Sequence, residues 1–403
     1  MQTKLPNNFR ATAEGQAADA ILRKCVHCGF CTATCPTYQL LGNELDSPRG
    51  RIYLMKSMLE GEEVSATTQL HLDRCLTCRA CETTCPSGVE YGRLLDIGRE
   101  HVERYVPRRF GDRLMRRLLC WLLTRRRIFA RALAMGQRVR PLLPARLRDH
   151  VPPRRTVSSK RAQGPADKQV ILLEGCVQPS LAPATNHAAA HVLARLGYGT
   201  ANVTNDGCCG AVPHHLSRAD QARQLARYNI DAWWPHIEAG VEAIVSTASG
   251  CGVMVKDYAH LLAADSVYRD KAARVSSLTK DLVEIVAAAD WQKLRRAPWA
   301  PRKIAFQSPC TLQHGQRLEG KVEMILTGMG FVLTAVPEPH LCCGSAGTYS
   351  LMQPAVATDL RARKLERVLS GDPDLIATAN VGCQMHLEAA SRIPVRHWAE
   401  LVQ

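Results

Sequence analysis

The sequence predicts an α+β multidomain chain, with a helical domain first and two related α/β domains after it. Three observations predict this. Two four-cysteine runs, CVHCGFCTATCP and CLTCRACETTCP, lie in the first hundred residues, joined by a stretch of helical periodicity. A second set of eight cysteines recurs as two widely spaced copies of one pattern. Each copy contains short apolar runs between helical stretches, which read as buried parallel strands. With 403 residues the chain also exceeds what one hydrophobic core ordinarily supports.

The first domain spans residues 1–105 and opens with a short helix near Ala11–Arg23. Its cysteines read Cys25-x2-Cys28-x2-Cys31-x3-Cys35-Pro36 and Cys75-x2-Cys78-x2-Cys81-x3-Cys85-Pro86. This is the bacterial ferredoxin run, in which three close thiolates hold one [4Fe–4S] cluster and the fourth reaches the other. The expected ligands are Cys25, Cys28, Cys31 and Cys85 for the first cluster, and Cys75, Cys78, Cys81 and Cys35 for the second. The proline after each fourth cysteine ends the turn and points that thiolate away from its own run. Zinc favours separated Cys-x2-Cys pairs, so two complete runs fit it poorly. In the connection, Ile52, Leu54, Met55, Met58 and Leu59 fall at helical spacing. That layout resembles the helical two-cluster domain of succinate dehydrogenase iron–sulfur subunits more than the small, β-connected ferredoxins.

Residues 106–166 form a basic amphipathic linker. From Arg99 to Arg161 there are 19 Lys and Arg against 4 Asp and Glu, which accounts for the whole net charge of +15. The tract Leu114–Leu133 mixes Leu, Trp and Ile with arginine, giving a helix with one apolar and one basic face. Such a helix suits an anionic membrane surface, or equally the acidic face of a partner. The longest uncharged stretch in this basic segment, Leu118–Thr124, is far short of the roughly 20 residues a membrane span needs. Cys120, inside LLCWLL, reads as a packed apolar residue.

Residues 167–298 and 299–403 are the two repeats. One holds Cys176, the Cys208-Cys209-Gly210 tripeptide and Cys251; the other holds Cys310, Cys342-Cys343-Gly344 and Cys383. The interval from first cysteine to tripeptide is 32 positions in both. Cys176, Cys251, Cys310 and Cys383 are expected just beyond the carboxyl ends of strands, where open α/β sheets build sites. The CCG tripeptides are expected in loops that open helices, whose N-terminal N–H groups suit an anionic centre. Each repeat could gather four sulfurs, for a cluster or for a redox-active dithiol.

Seventeen cysteines with no apolar secretory core in the opening MQTKLPNNFR point to metal binding in a reducing compartment, not to disulfides. Dinucleotide and phosphate-loop glycine motifs are lacking, as are zinc-protease and nucleophile-elbow motifs. Aromatics at 5% and the lack of a recognition motif argue against nucleic acid. The residues describe an electron-carrying subunit, with no catalytic residues of its own.

Paired ferredoxin runs followed by two CCG units resemble a family of iron–sulfur proteins that serve anaerobic glycerol-3-phosphate dehydrogenase and lactate utilisation. Heterodisulfide reductases carry similar CCG units. The intervening stretches, among them SPRGRIYLMK, LEGCVQP, NIDAWWPHIEAG, SPCTLQH, HLCCGSAGTYSL and TANVGCQMHL, are similar to the iron–sulfur subunits of bacterial glycolate oxidase. The resemblance implies a helical two-cluster ferredoxin domain followed by two CCG cysteine-rich domains. It implies an FAD-containing subunit that oxidises glycolate to glyoxylate, a second flavoprotein-type partner, and a quinone or other acceptor. The expected location is cytoplasmic, peripheral to the inner membrane. Lactate or glycerol-3-phosphate dehydrogenase, or a thiol–disulfide reductase, are the alternative assignments. Relatives often carry a fifth cysteine per CCG unit; here Met254 and His386 stand at that place, which bears on the type of cluster those units could hold.

Overall fold

A computed structural model describes residues 1–142, 144, 151–157, 162, 164–165 and 167–402. Parts of the basic linker (143, 145–150, 158–161, 163 and 166) therefore lie outside the described residues.

The N-terminal helices start where a hydroxyl can satisfy a free backbone donor. Thr12, Ser47 and Ser65 each accept from an N–H three residues on, and so begin helices Ala13–Lys24, Pro48–Leu59 and Ala66–Asp73. Pro48 stands at the first position of its helix, where its missing N–H costs nothing. The helical spacing in the connection is realised: Ile52, Met55, Met58 and Leu59 are buried. They pack with Ile21 and Leu22 of the first helix and with Leu94, Leu95 and Val102 of helix Tyr91–Tyr105. Cys25, Cys75 and Cys81 border this core, so the runs are anchored on packed helices. Residues 1–117 and 340–364 make up this first compact unit.

The second unit comprises residues 118–339 and 365–403. Its apolar runs form two four-stranded parallel sheets. Strands β1 (Gln169–Leu173), β2 (Gly199–Thr200), β3 (Ala243–Ser246) and β4 (Thr279–Asp281) lie in the order β2-β1-β3-β4. Strands β5 (Lys303–Gln307), β6 (Val332–Leu333), β7 (Leu375–Thr378) and β8 (Val395–His397) repeat it as β6-β5-β7-β8. Register is equivalent, with Leu173 opposite Ser246 and Gln307 opposite Thr378. Side chains alternate along β1: Val170 and Leu172 enter one core, Ile171 and Leu173 another. The first of these cores is shared between the repeats, joining Val245 and Leu193 to Ile304, Phe306 and Trp398. The two repeats thus bury apolar surface in common.

The amphipathic tract of the linker is two helices, Phe110–Leu123 and Arg126–Val139, broken at Arg125. No helix among the described residues is long and apolar enough to cross a membrane.

Candidate metal centres

The two runs wind in the same way. His27 and Gly29 in the first, and Thr77 and Arg79 at the matching positions of the second, all have left-handed backbone conformations, with φ of 58°, 86°, 53° and 59°. Three of the four are not glycine, and each such residue costs on the order of 1 kcal/mol or more. The same two strained positions recur in both runs, so the loops share one winding between their sulfurs. Cys25, Cys28, Cys31 and Cys85 line a single cavity, walled by Val26, Ile52, Pro86 and Val89. A sulfur from the second run therefore closes the pocket made by the first. Cys81 also borders that cavity.

Electrostatics report the same groupings. Burial pushes the Cys25 thiol above its ordinary value, with Cys85 and Cys28 adding to the shift. Burial likewise pushes Cys31 up to about 11. Cys81 is raised by burial, then by Cys78, Cys75 and Cys35 among its neighbours. Cys75 accepts from the Thr77 N–H at 3.5 Å and from the Tyr91 hydroxyl at 3.7 Å. Cys35 lies 3.3 Å from the Thr37 hydroxyl. Thiols converging within apolar walls in the first cavity, and polar donors at the Cys75 and Cys35 sulfurs of the second set, fit iron–sulfur cubanes. Among the described residues no three His, Cys, Asp or Glu side chains surround one ion, whereas in a cubane each thiolate takes a different iron.

In the first repeat Cys176 follows β1 and Cys251 lies in the first turn of helix Ser249–Lys256. Their sulfurs adjoin those of the tripeptide in series, each shifting the next one's titration: Cys176 with Cys208, Cys208 with Cys209, and Cys209 with Cys251. All four come together at the carboxyl edge of the sheet. Contact with Cys208 and then burial hold Cys176 well above the ordinary thiol value. The tripeptide ends at Gly210, whose φ of +90° turns the chain into helix Ala211–His215. The longer helix, Ala219–Glu238, starts only after a further turn. Met254 is buried in the core that contains Cys209.

In the second repeat Cys310 follows β5, and Cys383 lies on helix Val381–Glu388, where Asn380 donates to its sulfur at 3.6 Å. Both belong to the second unit, whereas Cys342 and Cys343 are buried in the first. His386 lies on the Cys383 helix, three residues further on.

Cysteine spacing alone does not disclose the supporting polar residues. Asn229, fully buried, donates to the Cys208 carbonyl at 2.9 Å and the Tyr258 hydroxyl at 3.1 Å, while that hydroxyl donates to the Cys209 carbonyl at 2.8 Å. This pair fixes the first tripeptide. In the first unit, Tyr349 donates to the Arg74 carbonyl at 3.0 Å, beside Cys75. A polar residue inside an otherwise apolar helical face, as Asn229 is in ARYNIDAWW, was the available signal.

Residues 21–89 match the 4Fe-4S dicluster domain, and residues 170–256 and 304–388 each match the cysteine-rich domain. The chain is 53% identical to the glycolate oxidase iron-sulfur subunit of Escherichia coli (strain K12), over its whole length and 98% of that protein. It belongs to the glycolate oxidase iron–sulfur subunit family. A probable glycolate oxidase iron-sulfur subunit of Bacillus subtilis (strain 168) is 30% identical over 91% of this chain and 88% of its own length. Lactate utilization protein A of an Exiguobacterium species is 24% identical, with 58% of this chain covering 96% of that shorter protein. Family membership makes this an iron–sulfur electron-transfer chain of an oxidoreductase, built from one dicluster domain and two cysteine-rich domains.

Proposed function

We propose that this chain carries electrons from a partner flavoprotein, which oxidises glycolate to glyoxylate on FAD, to a quinone or another acceptor. The observation that carries the reading is the cavity closed by Cys25, Cys28, Cys31 and Cys85 across the two runs. The pattern is the interlocked ligand set of a two-cluster carrier. Cys75, Cys78, Cys81 and Cys35 would hold the second cluster. Bound there, a [4Fe–4S] cluster takes up and gives back a single electron. The chain's own part is to exclude water with the apolar walls, to supply thiolates, and to aim N–H and O–H donors at them. The four sulfurs of the first repeat form a third candidate centre. Cys310, Cys342, Cys343 and Cys383 are the corresponding set of the second repeat, matched to it by sequence.

A thiol–disulfide reductase is the second reading, motivated by the contiguous sulfurs Cys176, Cys208, Cys209 and Cys251. An attacking thiol needs thiolate at neutral pH. Cys176, Cys208 and Cys209 are all pushed the other way, which disfavours that chemistry; a coordinated metal would reverse the shift.

The proposed location is peripheral, on the cytoplasmic face of the inner membrane. Helix Phe110–Leu123 leaves Phe110, Leu114, Leu118 and Trp121 exposed at i, i+4, i+8 and i+11, flanked by arginines, which suits an anionic lipid surface.

The test is to purify the chain anaerobically with its partners and assay a panel of glycolate, lactate and glycerol 3-phosphate against quinone reduction. Glycolate-dependent quinone reduction that stops in Cys28→Ser, while flavin reduction by glycolate continues, supports the proposal. Full coupling in that variant, with both cluster signals intact, refutes it.

A further inference from the structure

Arg51 sits in helix Pro48–Leu59 and is only 1% exposed. Burying a charge is costly unless it is paired and hydrogen-bonded, so its partners matter. Its Nε donates to the His71 carbonyl at 2.7 Å, and Nη2 reaches Asp46 at 3.3 Å. Both Nη1 and Nη2 lie 3.2 Å from the Thr37 hydroxyl oxygen. That same oxygen is 3.3 Å from the sulfur of Cys35, the cysteine expected to cross from the first run to the second cluster. The guanidinium is thus one hydroxyl away from a ligand sulfur.

The Asp46 carboxylate does not cancel this charge. It is fully buried and shared among Arg51, Arg74 at 3.0 Å and His71 at 2.9 Å. Two guanidiniums face one carboxylate, so one positive charge is left over beside the sulfurs. Burial alone would lower the Arg51 pKa, but Tyr91, Cys75, Cys35 and Asp46 outweigh it and hold the group above the ordinary arginine value.

Thr37 has one hydroxyl proton and two acceptors for it, the Asp46 carbonyl at 2.9 Å and Cys35 Sγ. As a cluster ligand Cys35 would be a thiolate, which can only accept, so a hydrogen bond across this 3.3 Å contact runs from the Thr37 hydroxyl to the sulfur. Donation from Arg51 into the Thr37 oxygen polarises that O–H and strengthens the bond. Hydrogen bonds to cluster sulfurs, and positive charge nearby, favour the reduced and more negative cluster.

We propose that Arg51 and Thr37 are positioning residues forming a charge-assisted relay onto Cys35, which raises the reduction potential of the cluster held by Cys75, Cys78, Cys81 and Cys35. The inference rests on the ligand assignment proposed above. It gives the fixed cation in RGRIYLMK a task that helix packing does not require.

The experiment is an EPR-monitored redox titration of the anaerobically reconstituted full chain, in the wild type and in Thr37→Val, Thr37→Ser, Arg51→Gln and Arg51→Lys. In Thr37→Val and Arg51→Gln one of the two cubane potentials moves negative. The expected shift is about tenfold in the reduced-to-oxidised ratio, or about 59 mV for a one-electron couple. Thr37→Ser, which keeps the hydroxyl, and Arg51→Lys, which keeps the charge, stay nearer the wild type. The moved signal is the one that Cys78→Ser abolishes. Two intact signals with unmoved potentials in Thr37→Val overturn the relay, even if Arg51→Gln fails to fold. A shift confined to the signal lost in Cys28→Ser overturns it too. A wild-type chain with no cubane signal overturns the ligand assignment beneath it, an outcome distinct from both.

Discussion

Asp281 and His397 are buried residues that titrate in opposite senses. Burial lifts Asp281 to about 7, although it caps helix Leu282–Ala288 by accepting from the Val283 N–H at 3.1 Å. Burial pushes His397 down to about 4, its Nε2 lying 2.8 Å from the Thr247 carbonyl oxygen. Between about 3.8 and 7 the folded state holds an Asp281 proton that the unfolded chain has released, so that contribution is lost as pH rises. Between about 6.5 and 4 the unfolded chain takes up a His397 proton that the folded state refuses, so stability there is lost as pH falls. Fully expressed, the Asp281 contribution is roughly 4 kcal/mol and the His397 contribution roughly 3 kcal/mol, so the two largely offset. Thermal midpoints measured from pH 4.5 to 6.5 should therefore rise more steeply with pH in Asp281→Asn than in the wild type, and less steeply in His397→Gln. Parallel slopes in all three would contradict the assignment. At this scale the grouping of Cys25, Cys28, Cys31 and Cys85 around one cavity was legible in the sequence, because the two runs repeat one spacing. Thr37, Arg51 and Tyr258 were not, because a hydrogen bond between distant residues leaves no period behind; Asn229 showed only as a polar residue on an apolar helical face.

Among the elements, the parallel strands were legible for a simple reason. Strands buried on both faces must be continuously apolar, as QVILL, AIVS, KIAFQ and LIAT are or nearly are. The linker helix was read less completely. Its composition indicated one apolar and one basic face, and the structure splits it at Arg125 into two helices. It also turns part of the basic face inward: Arg116 pairs with Asp73 and Asp112 and is buried, and the half-buried Arg108 just before the helix pairs with the same carboxylates, while Leu114 and Leu118 remain exposed. Amphipathic pattern tells which residues share a face, not which face meets solvent. Flotation with vesicles makes the consequence measurable. The wild type should rise with phosphatidylglycerol vesicles at low salt and not with phosphatidylcholine, and Leu114→Glu/Leu118→Glu should remain at the bottom. Equal flotation of that double variant would contradict a lipid role for this helix.

On the scale of the whole molecule, the sequence repeat suggested two equivalent domains, and the sheets are indeed equivalent in order and register. Packing departs from that symmetry. The repeats share a core, and residues 340–364, with Cys342, Cys343 and Tyr349, fold into the unit that contains the ferredoxin-type runs. Nothing in a loop's own sequence reports which body it will join, since the partner surface lies hundreds of residues away.

The central claim is that the two runs interlock, each lending its fourth thiolate to the other's cluster. The most direct measurement is EPR with iron analysis of the anaerobic full chain in Cys85→Ser and Cys35→Ser, read against Cys28→Ser and Cys78→Ser. Cys85→Ser should alter or abolish the signal that Cys28→Ser removes, and Cys35→Ser the signal that Cys78→Ser removes. If Cys85→Ser instead strikes the Cys78 signal, and Cys35→Ser the Cys28 signal, each run holds its own cluster and the account is wrong.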